Sequence, residues 1–255
     1  MRIVFIGAGN VATVLAKLFK DAGHSIAGIY SVSATSAKVL AAELDVAQHG
    51  NTANIIKNAD IYLLAVSDNA LPEICQTLRL PGKIVVHTSG STPQDVLRQV
   101  SAYYGVLYPL QSLRKEAEHQ PVIPLLVNGS DNIVKEQLRV LAESISFVVQ
   151  EADDEQRLHL HLAAVMVSNF SNYLYALAND YCDKQQVAFK ALVPLIREVA
   201  ERTSLYNPAD MQTGPAVRAD TATIEKHLLL LAQYPVQHHV YQELTESIKK
   251  FYNKG

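Results

Sequence analysis

The segment MRIVFIGAGNVATVLAKLF, residues 1–19, joins a short apolar run to an amphipathic stretch through the turn GAGNVA, residues 7–12. This turn fits the pattern GxGxxA, which is informative when it follows a strand and opens a helix, as predicted here. Gly7 permits a tight turn, Gly9 lacks a Cβ and lets a pyrophosphate approach the backbone, and Ala12 lets the helix pack closely on the strand. The start of the helix adds N–H donors for the anion. The turn therefore predicts a dinucleotide site, the alternative being a tight turn without a ligand.

Strands and helices alternate from the amino terminus to about Gln150. Because most apolar runs are continuous, we expect strands covered on both faces, and alternation with helices predicts a mostly parallel sheet. The predicted strands are RIVFI (2–6), SIAGIY (25–30), DIYLLAV (60–66), KIVVHT (83–88), YYGVLY (103–108), PVIPLLV (121–127) and SFVVQ (146–150), and the predicted helices are 10–22, 35–44, 93–100 and 131–144. This half is thus predicted to be an α/β, doubly wound Rossmann sheet.

The pattern changes at EADDEQR, residues 151–157, where Asp153 or Asp154 is placed to cap a helix. Residues 155–181 then read as one long helix that is apolar on nearly every face. Such a helix must be buried in a bundle or against another subunit. Further helices are expected at 186–203, 221–233 and 236–252, with Pro194 kinking the first of them. We predict a cofactor domain at 1–153 and an all-α substrate and dimerisation domain at 154–255.

Composition excludes several classes of protein. With a net charge of -3 over 255 residues, the chain has no general basic field for nucleic acid or an anionic membrane. The two cysteines, Cys75 and Cys182, lie far apart, so reduced thiols are expected rather than a disulfide or a zinc site. The apolar runs are shorter than a membrane span, and a strand at the amino terminus leaves no room for a signal peptide. We expect a soluble, cytoplasmic protein.

The end of the second strand discriminates between nicotinamide cofactors. An NAD site usually carries an acidic residue here for the ribose 2′-OH, but the segment YSVSATSAK, residues 30–38, has hydroxyl groups and Lys38 and no carboxylate. This composition favours a 2′-phosphate, and hence NADP over NAD. Ser31 and Ser33 are the candidate contacts, although serines also commonly cap helices.

Two further strand ends carry small polar residues. The stretch LLAVSDNAL places Ser67 and Asp68 after one strand, and VVHTSGS places Thr88 and Ser89 after another. Ligands of open α/β sheets bind at this edge, so both turns are predicted to line the nicotinamide end, unless Asp68 and Thr92 merely cap helices. The predicted cofactor-binding residues are Gly7, Gly9, Asn10, Val11, Ser31, Ser33, Val66, Ser67, Asp68, Thr88 and Ser89.

Four motifs together carry a resemblance. GAGNVA, HTSGS (87–91), YPLQSL (108–113) and TGPAVRAD (213–220), in this order, resemble a bacterial family of Rossmann-like NADP oxidoreductases whose helical carboxy-terminal domain has no assigned function. The chain is more distantly similar to pyrroline-5-carboxylate reductase and the 6-phosphogluconate dehydrogenase-like superfamily. The resemblance implies a Rossmann domain followed by a helical domain that often builds a homodimer.

Two positions depart from relatives. The YPLQSL segment usually begins with His-Pro, whereas this chain has Tyr108-Pro109. In the β-hydroxyacid dehydrogenase branch the long helix carries Lys-x-x-x-Asn; if Asn169 matches that asparagine, Val165 stands where the lysine would be. The resemblance therefore does not imply the hydroxyacid dehydrogenase reaction.

His161 and Asn169 are the candidate catalytic residues. They are eight residues apart, which puts them about 80° apart around an ideal α-helix. The resemblance implies a histidine and an asparagine at this spacing, so both are expected to face the cleft. Because its ordinary pKa lies near neutrality, His161 could donate a proton while NADPH donates hydride to a C=O or C=N bond. The alternative is a structural histidine. His159 points elsewhere on the helix, so a metal site formed with His161 is not expected.

Substrate contacts are predicted from three turns. Arg218 could clamp a carboxylate or phosphate and Asp220 could hold it in place, although Asp220 could instead cap the next helix. Ser89, Gln111 and Ser112 complete the predicted substrate-binding set, and the pair His238-His239 is expected at the surface or in a dimer contact.

These features predict an NADP-dependent oxidoreductase that acts on a small, anionic carbonyl or imine compound in an interdomain cleft, without a metal. Two alternatives stay open. One is a non-catalytic NADP-binding sensor or partner module, and the other is a reductase that passes hydride between NADP and a flavin-like cofactor.

Overall fold

A single sheet organises the first part of the molecule. The computed structural model describes residues 1–47, 49–117 and 121–252, and in these residues eight strands pair in the order β3-β2-β1-β4-β5-β6-β7-β8. The strands are β1 (Arg2–Ile6), β2 (Ser25–Tyr30), β3 (His49–Gly50), β4 (Ile61–Leu64), β5 (Ile84–His87), β6 (Tyr103–Pro109), β7 (Leu125–Gly129) and β8 (Val149–Glu151). Neighbours pair in parallel except β6 with β7, which are antiparallel. The first six strands have the Rossmann order, and the order reverses between β1 and β4.

Helices cover both faces of this sheet. They are α1 (Asn10–Asp21), α2 (Ala34–Glu43), α3 (Leu71–Thr77) and α4 (Asn132–Glu143). The helix α5 (Asp154–Ala164) follows β8 in the chain. Along β1, Ile3 and Phe5 belong to one buried cluster while Val4 and Ile6 belong to another. Burial of both faces is the physical reason why the strand sequences are continuously apolar, as expected.

Side-chain caps fix two of the helix starts. The carboxylate of Asp131 accepts a hydrogen bond from the backbone N–H of Val134 at 2.8 Å and begins α4. Of the two candidate caps of α5, Asp153 accepts from the N–H of Gln156, whose side chain accepts in return from the N–H of Asp153. This reciprocal capping box sets where α5 starts.

Several elements differ from the sequence expectation. The two-residue strand β3 and the helix α3 were not predicted, because a strand of that length has no periodicity and α3 spans only two turns, with Pro72 near its start. The helix expected at 93–100 is a short 3₁₀ turn, Gln94–Leu97. The strand expected from 121 begins only at Leu125.

The chain divides into two compact units, Met1–Phe170 and Ser171–Gly255. The described part of the second unit contains α6 (Ser171–Lys184), α7 (Val193–Arg202), α8 (Thr221–Leu230) and α9 (Pro235–Tyr252), and no strand. The first unit includes α5, which the sequence analysis assigned to the second domain. The functional boundary at 153/154 stays a prediction.

The helix expected over 155–181 is observed as a continuous helical run from Asp154 to Lys184, in which the π-helical segment Val165–Phe170 joins α5 to α6. The prediction for Pro194 was wrong. Pro194 does not kink a helix over 186–203. It lies in the first turn of α7, where the backbone N–H that proline lacks would have no partner within the helix.

Apolar side chains around the π-helical segment are exposed in the described part of the chain. Leu162, Met166, Val167 and Phe170 are all more than half exposed. This helix was expected to be buried either in a bundle or against another subunit. Burial in a bundle is not observed for these four side chains. No helix in the described part of the chain combines the length and hydropathy needed to cross a bilayer.

Candidate functional site

The glycine turn connects β1 to α1. Gly7 has φ +121°, and a Cβ there would lie 2.0 Å from the carbonyl oxygen of Ala65. Its N–H donates to the carbonyl of Tyr30 at 2.7 Å. Gly9 differs, since its backbone is extended (φ -87°) and a Cβ would meet no atom within 4 Å. The fold itself thus requires glycine at position 7, whereas the space above Gly9 is open.

A cavity of about 250 Å³ opens at this turn. It lies beside the carboxyl ends of β1, β2 and β4, where the strand order reverses and where α/β sheets bind their ligands. It brings together several predicted cofactor residues: Gly7, Gly9, Ser31, Val66 and Ser67. Ala8 and the exposed Val32 also contribute to its lining, and neither was predicted.

Three other predicted cofactor residues have local structural contacts. Ser33 caps α2, because its hydroxyl accepts from the backbone N–H of Ser36 at 3.3 Å. Asn10 is the first residue of α1, and its side-chain oxygen lies 3.5 Å from the backbone N of Lys115. Val11 packs against the core. None of these contacts tests cofactor binding.

Asp68 and Thr92, for which capping was the alternative role, do not cap the helical segments that follow them. Helix α3 begins at Leu71 after Ala70, without a side-chain cap. The carboxylate of Asp68 instead accepts a hydrogen bond from the hydroxyl of Ser91 at 2.6 Å, joining the turns after β4 and β5.

The HTSGS turn is held by Ser89. Its hydroxyl oxygen accepts from the N–H groups of Ser91 and Thr92 at 3.2 and 2.9 Å and lies 2.9 Å from the Thr92 hydroxyl. The hydroxyl of Thr88 lies 3.5 Å from the carbonyl oxygen of Leu64. Both side chains are buried, so their hydroxyl groups serve the turn in the structure.

A larger cavity, of about 500 Å³, lies in the first unit beside α5 and the π-helical segment. It unites both predicted catalytic residues, His161 and Asn169, with two predicted substrate residues, Gln111 and Ser112. The whole lining is Tyr108, Leu110, Gln111, Ser112, Leu160, His161, Ala163, Ala164, Val165, Val167, Ser168 and Asn169. The π turn changes the angle expected for an α-helix, yet both catalytic candidates still reach the same cavity.

Tyr108 is the main site residue that the sequence analysis did not assign. Its hydroxyl lies 2.9 Å from Nδ1 of His161, and the two rings meet edge to face with centroids 5.8 Å apart. Burial raises the pKa of Tyr108, the charge of Asp68 adds to the rise, and Arg157 opposes it. The only signal in the sequence was the departure from His-Pro.

Gly90 makes room for this pair. A Cβ at Gly90 would lie 2.7 Å from Nδ1 of His161 and 2.8 Å from Cζ of Tyr108. The glycine of the HTSGS turn is therefore needed for close packing rather than for an unusual φ.

Arg157 was also missed, and it ties α5 to the same turn. Its side chain is only 1% exposed, with Nη1 2.8 Å from the carboxylate of Asp154 and Nη2 donating to the carbonyl of Thr92 at 2.5 Å. His87 is buried nearby; burial, and then the charge of Arg157, lowers its pKa to about 4. Because His161 is one turn beyond Arg157, this contact positions the catalytic candidate.

Arg218 and Asp220 belong to the second unit. Asp220 caps α8, since its carboxylate accepts from the N–H and the hydroxyl of Thr223 at 3.1 and 2.8 Å. These hydrogen bonds, and then the charge of Arg218, lower the pKa of Asp220. Arg218 is exposed. The capping role is thus observed, and substrate binding by either residue stays a prediction.

His159 was considered as a metal ligand together with His161. His159 is exposed, and its Nε2 lies 3.7 Å from the carboxylate of Glu155. In the described ranges, no group of three or more His, Cys, Asp or Glu side chains is arranged to hold a metal ion.

Fold and glycine turn together define a Rossmann-like protein, and comparison with known proteins agrees. Residues 1–110 match the Rossmann-like domain family, and residues 123–248 match a domain of unknown function, DUF2520. No curated protein sequence matches the chain.

Solved structures give the family. A Bacteroides fragilis protein, provisionally named an NADP oxidoreductase, is 37% identical, with a TM-score of 0.90 over 98% of both chains. The chain therefore belongs to the same family of Rossmann-like proteins with a DUF2520 domain.

Two more distant structures share the fold. A Thermotoga maritima protein is 21% identical, with a TM-score of 0.70 over 97% of both chains. The reductive aminase of Aspergillus terreus, solved with NADPH and ethyl-5-oxohexanoate, is 16% identical, with a TM-score of 0.72 over 100% of this chain and 94% of that one.

Proposed function

We propose that this protein is an NADP-dependent oxidoreductase that transfers hydride between the nicotinamide and a carbonyl or imine compound. The observation that carries the proposal is the 250 Å³ cavity at the glycine turn, where the strand order reverses. Gly9 lines this cavity, and because a Cβ there would meet no atom, its absence leaves room for a pyrophosphate. The name of the 37% identical relative supports the same cofactor and the same class of reaction.

The residues of the first cavity fit NADP. The turn and the start of α1 would hold the pyrophosphate through backbone N–H groups. At the ribose end, Ser31 lines the cavity, and segment 30–38 offers no carboxylate that would repel a 2′-phosphate. When bound, the cofactor supplies the hydride, and the protein supplies orientation and electrostatics.

The second cavity is proposed as the substrate site. Its lining combines apolar side chains with the polar groups of Tyr108, His161, Ser168 and Asn169. His161 and Asn169 could each donate a hydrogen bond to a carbonyl oxygen or an imine nitrogen, which polarises the bond toward hydride addition. None of the described lining residues is acidic, lysine or arginine. An anionic substrate would therefore take its counter-charge from outside this lining.

We propose further that the protein is a homodimer. The exposed apolar side chains of Leu162, Met166 and Phe170 support this, because a second subunit would remove them from water. Sedimentation velocity should show a dimer for the wild type and a monomer for Met166→Lys. A wild type that is monomeric at micromolar concentration would contradict this assembly.

The first experiment on function is calorimetric titration with NADPH and, separately, with NADH. We expect micromolar binding with a clear preference for NADPH, followed by NADPH oxidation in a panel of ketones and cyclic imines. Absence of binding by either nucleotide would contradict the proposal.

The same assays discriminate between the proposal and the two alternatives. A sensor would bind NADPH without turnover of any carbonyl or imine, and His161→Ala would leave its affinity unchanged. A reductase that passes hydride to a flavin would oxidise NADPH only when a flavin is added.

A further inference from the structure

The hydroxyl of Tyr108 and the imidazole of His161 form an isolated pair. In the described part of the chain, the phenol oxygen has one hydrogen-bond partner, Nδ1 of His161 at 2.9 Å, and the imidazole has no second one. Tyr108 comes from β6 and His161 from α5, so two separate elements bring the groups together. This leaves Nε2 of His161 as the ring nitrogen without a protein partner.

The hydroxyl of Tyr108 is the donor in its hydrogen bond to Nδ1 of His161. Burial and the charge of Asp68 raise the pKa of Tyr108, so the phenol keeps its proton at neutral pH. A half-buried O–H group needs an acceptor, and the lone pair on Nδ1 of neutral His161 is the acceptor within reach. If Nδ1–H donated to the phenol oxygen instead, the phenol proton would have no protein acceptor.

Other charged or titratable groups near the pair do not supply a competing acceptor. The Asp68 carboxylate, from the turn after β4, accepts from the Ser91 hydroxyl at 2.6 Å and has no hydrogen bond to Tyr108 among the described residues. Arg157, from α5, has only donors and pairs with Asp154. His87, from β5, accepts from the N–H of Ser89 through Nδ1 at 3.1 Å, and its pKa of about 4 keeps it neutral at pH 7.

We infer that Tyr108 is a positioning residue that holds neutral His161 in the tautomer protonated on Nε2, with Nε2–H as the donor offered to the 500 Å³ cavity. This inference rests on the proposed function for its purpose, because a carbonyl oxygen or an imine nitrogen is the acceptor such a donor would take. The tautomer itself depends only on the geometry of the pair.

Gly90 strengthens the positioning. Because a Cβ on this residue would fall within 3 Å of both rings, the turn after β5 lies directly against the pair. The His161 ring therefore has a wall on the side of Gly90 and a hydrogen bond on the side of Tyr108, which restricts its rotation.

The test is a tautomer measurement by two-bond ¹H–¹⁵N correlation NMR on protein labelled at its nine histidines. Spectra are recorded at about pH 8.5, two units above the ordinary imidazole pKa, and His161→Gln assigns the signals. In the wild type we expect His161 with a protonated Nε2 and an unprotonated Nδ1. In Tyr108→Phe we expect this single-tautomer signature to be lost in favour of a mixture.

Tyr104→Phe is the matched control. Tyr104 also lies on β6, but its hydroxyl donates to Asp95 at 2.7 Å, so its loss should leave the His161 signals unchanged. A wild-type His161 protonated on Nδ1, or an unchanged tautomer in a folded Tyr108→Phe variant, would overturn the inference. If Tyr108→Phe does not fold, the wild-type spectrum alone still shows which ring nitrogen of His161 carries the proton.

Titration with NADPH separates this inference from the proposed function. Wild type and Tyr108→Phe should bind NADPH equally, because Tyr108 does not line the cavity at the glycine turn. Failure of the wild type to bind would contradict the proposed function and leave the tautomer assignment intact.

Discussion

The substitution Gly9→Ala tests whether the glycine turn is a ligand site or only a turn. Because a Cβ at this position meets no atom within 4 Å and the backbone is extended, alanine fits without strain. Gly9 is also the N-cap of α1, where replacing glycine by alanine costs about 0.5–1 kcal/mol. Reduced entropy of the unfolded chain returns about 0.4–1 kcal/mol. The two effects offset each other, so the free energy of unfolding should change by less than about 0.5 kcal/mol.

Cofactor affinity should respond differently. The added methyl group would occupy the open space that the proposal reserves for the pyrophosphate. Losing one hydrogen bond to a charged group costs about 1.5–3 kcal/mol, which corresponds to a roughly 10- to 100-fold weaker Kd. Calorimetric titration with NADPH and urea denaturation of the same preparations measure the two quantities.

Gly7→Ala is the matched control. At φ +121°, with a carbonyl oxygen 2.0 Å from the new Cβ, alanine brings backbone strain and overpacking together, so stability should fall by about 2–6 kcal/mol. If Gly9→Ala binds NADPH as tightly as the wild type, the pyrophosphate site is not at this turn. If it loses as much stability as Gly7→Ala, Gly9 serves the fold instead.

Three further perturbations probe the second cavity and the core. Gly90→Ala should lower stability by about 1–3 kcal/mol in urea denaturation, because its Cβ would press on Tyr108 and His161; unchanged stability would mean that the rings can move aside. Between pH 7.5 and 5 the wild type should lose about 2 kcal/mol more stability than His87→Asn, because burial lowers the pKa of His87 to about 4 and only the unfolded chain takes up the proton in this window. Equal losses would contradict that cause. Native Cys75 should resist iodoacetamide at pH 8, as followed by mass spectrometry, because burial raises its pKa to about 11 and the thiolate is the reactive form; rapid labelling would show that the thiol is accessible.

Much of the sheet was predictable from local sequence. β1 and β2 coincide with the predicted segments because each is a continuous apolar run with both faces buried. The sequence narrowed the N-cap of α5 to Asp153 or Asp154, because the side chains of a capping box lie close together in the sequence. The sequence also predicts different roles for Gly7 and Gly9 in one turn, and the structure adds that a Cβ at position 7 would clash with the carbonyl of Ala65.

Elements that depend on partners distant in sequence were not predictable. The strand β3 exists because His49 and Gly50 pair with the end of β2, and two residues carry no periodic signal of their own. The π-helical segment Val165–Phe170 has an ordinary helical sequence pattern. Its wider turns, with hydrogen bonds between residues i and i+5, therefore could not be recognised from the sequence.

The sequence by itself determined the class of fold and the glycine turn, because these depend on local periodicity and residue type. The candidates His161 and Asn169 came from residue type together with the family resemblance. Tertiary structure decided how the candidates are assembled. Tyr108 and His161 are 53 residues apart, and their hydrogen bond forms only because β6 and α5 bring them to the same cavity. Arg157 and Gly90 acquire their roles in the same way, through close packing of side chains from separate elements, which no single stretch of sequence encodes.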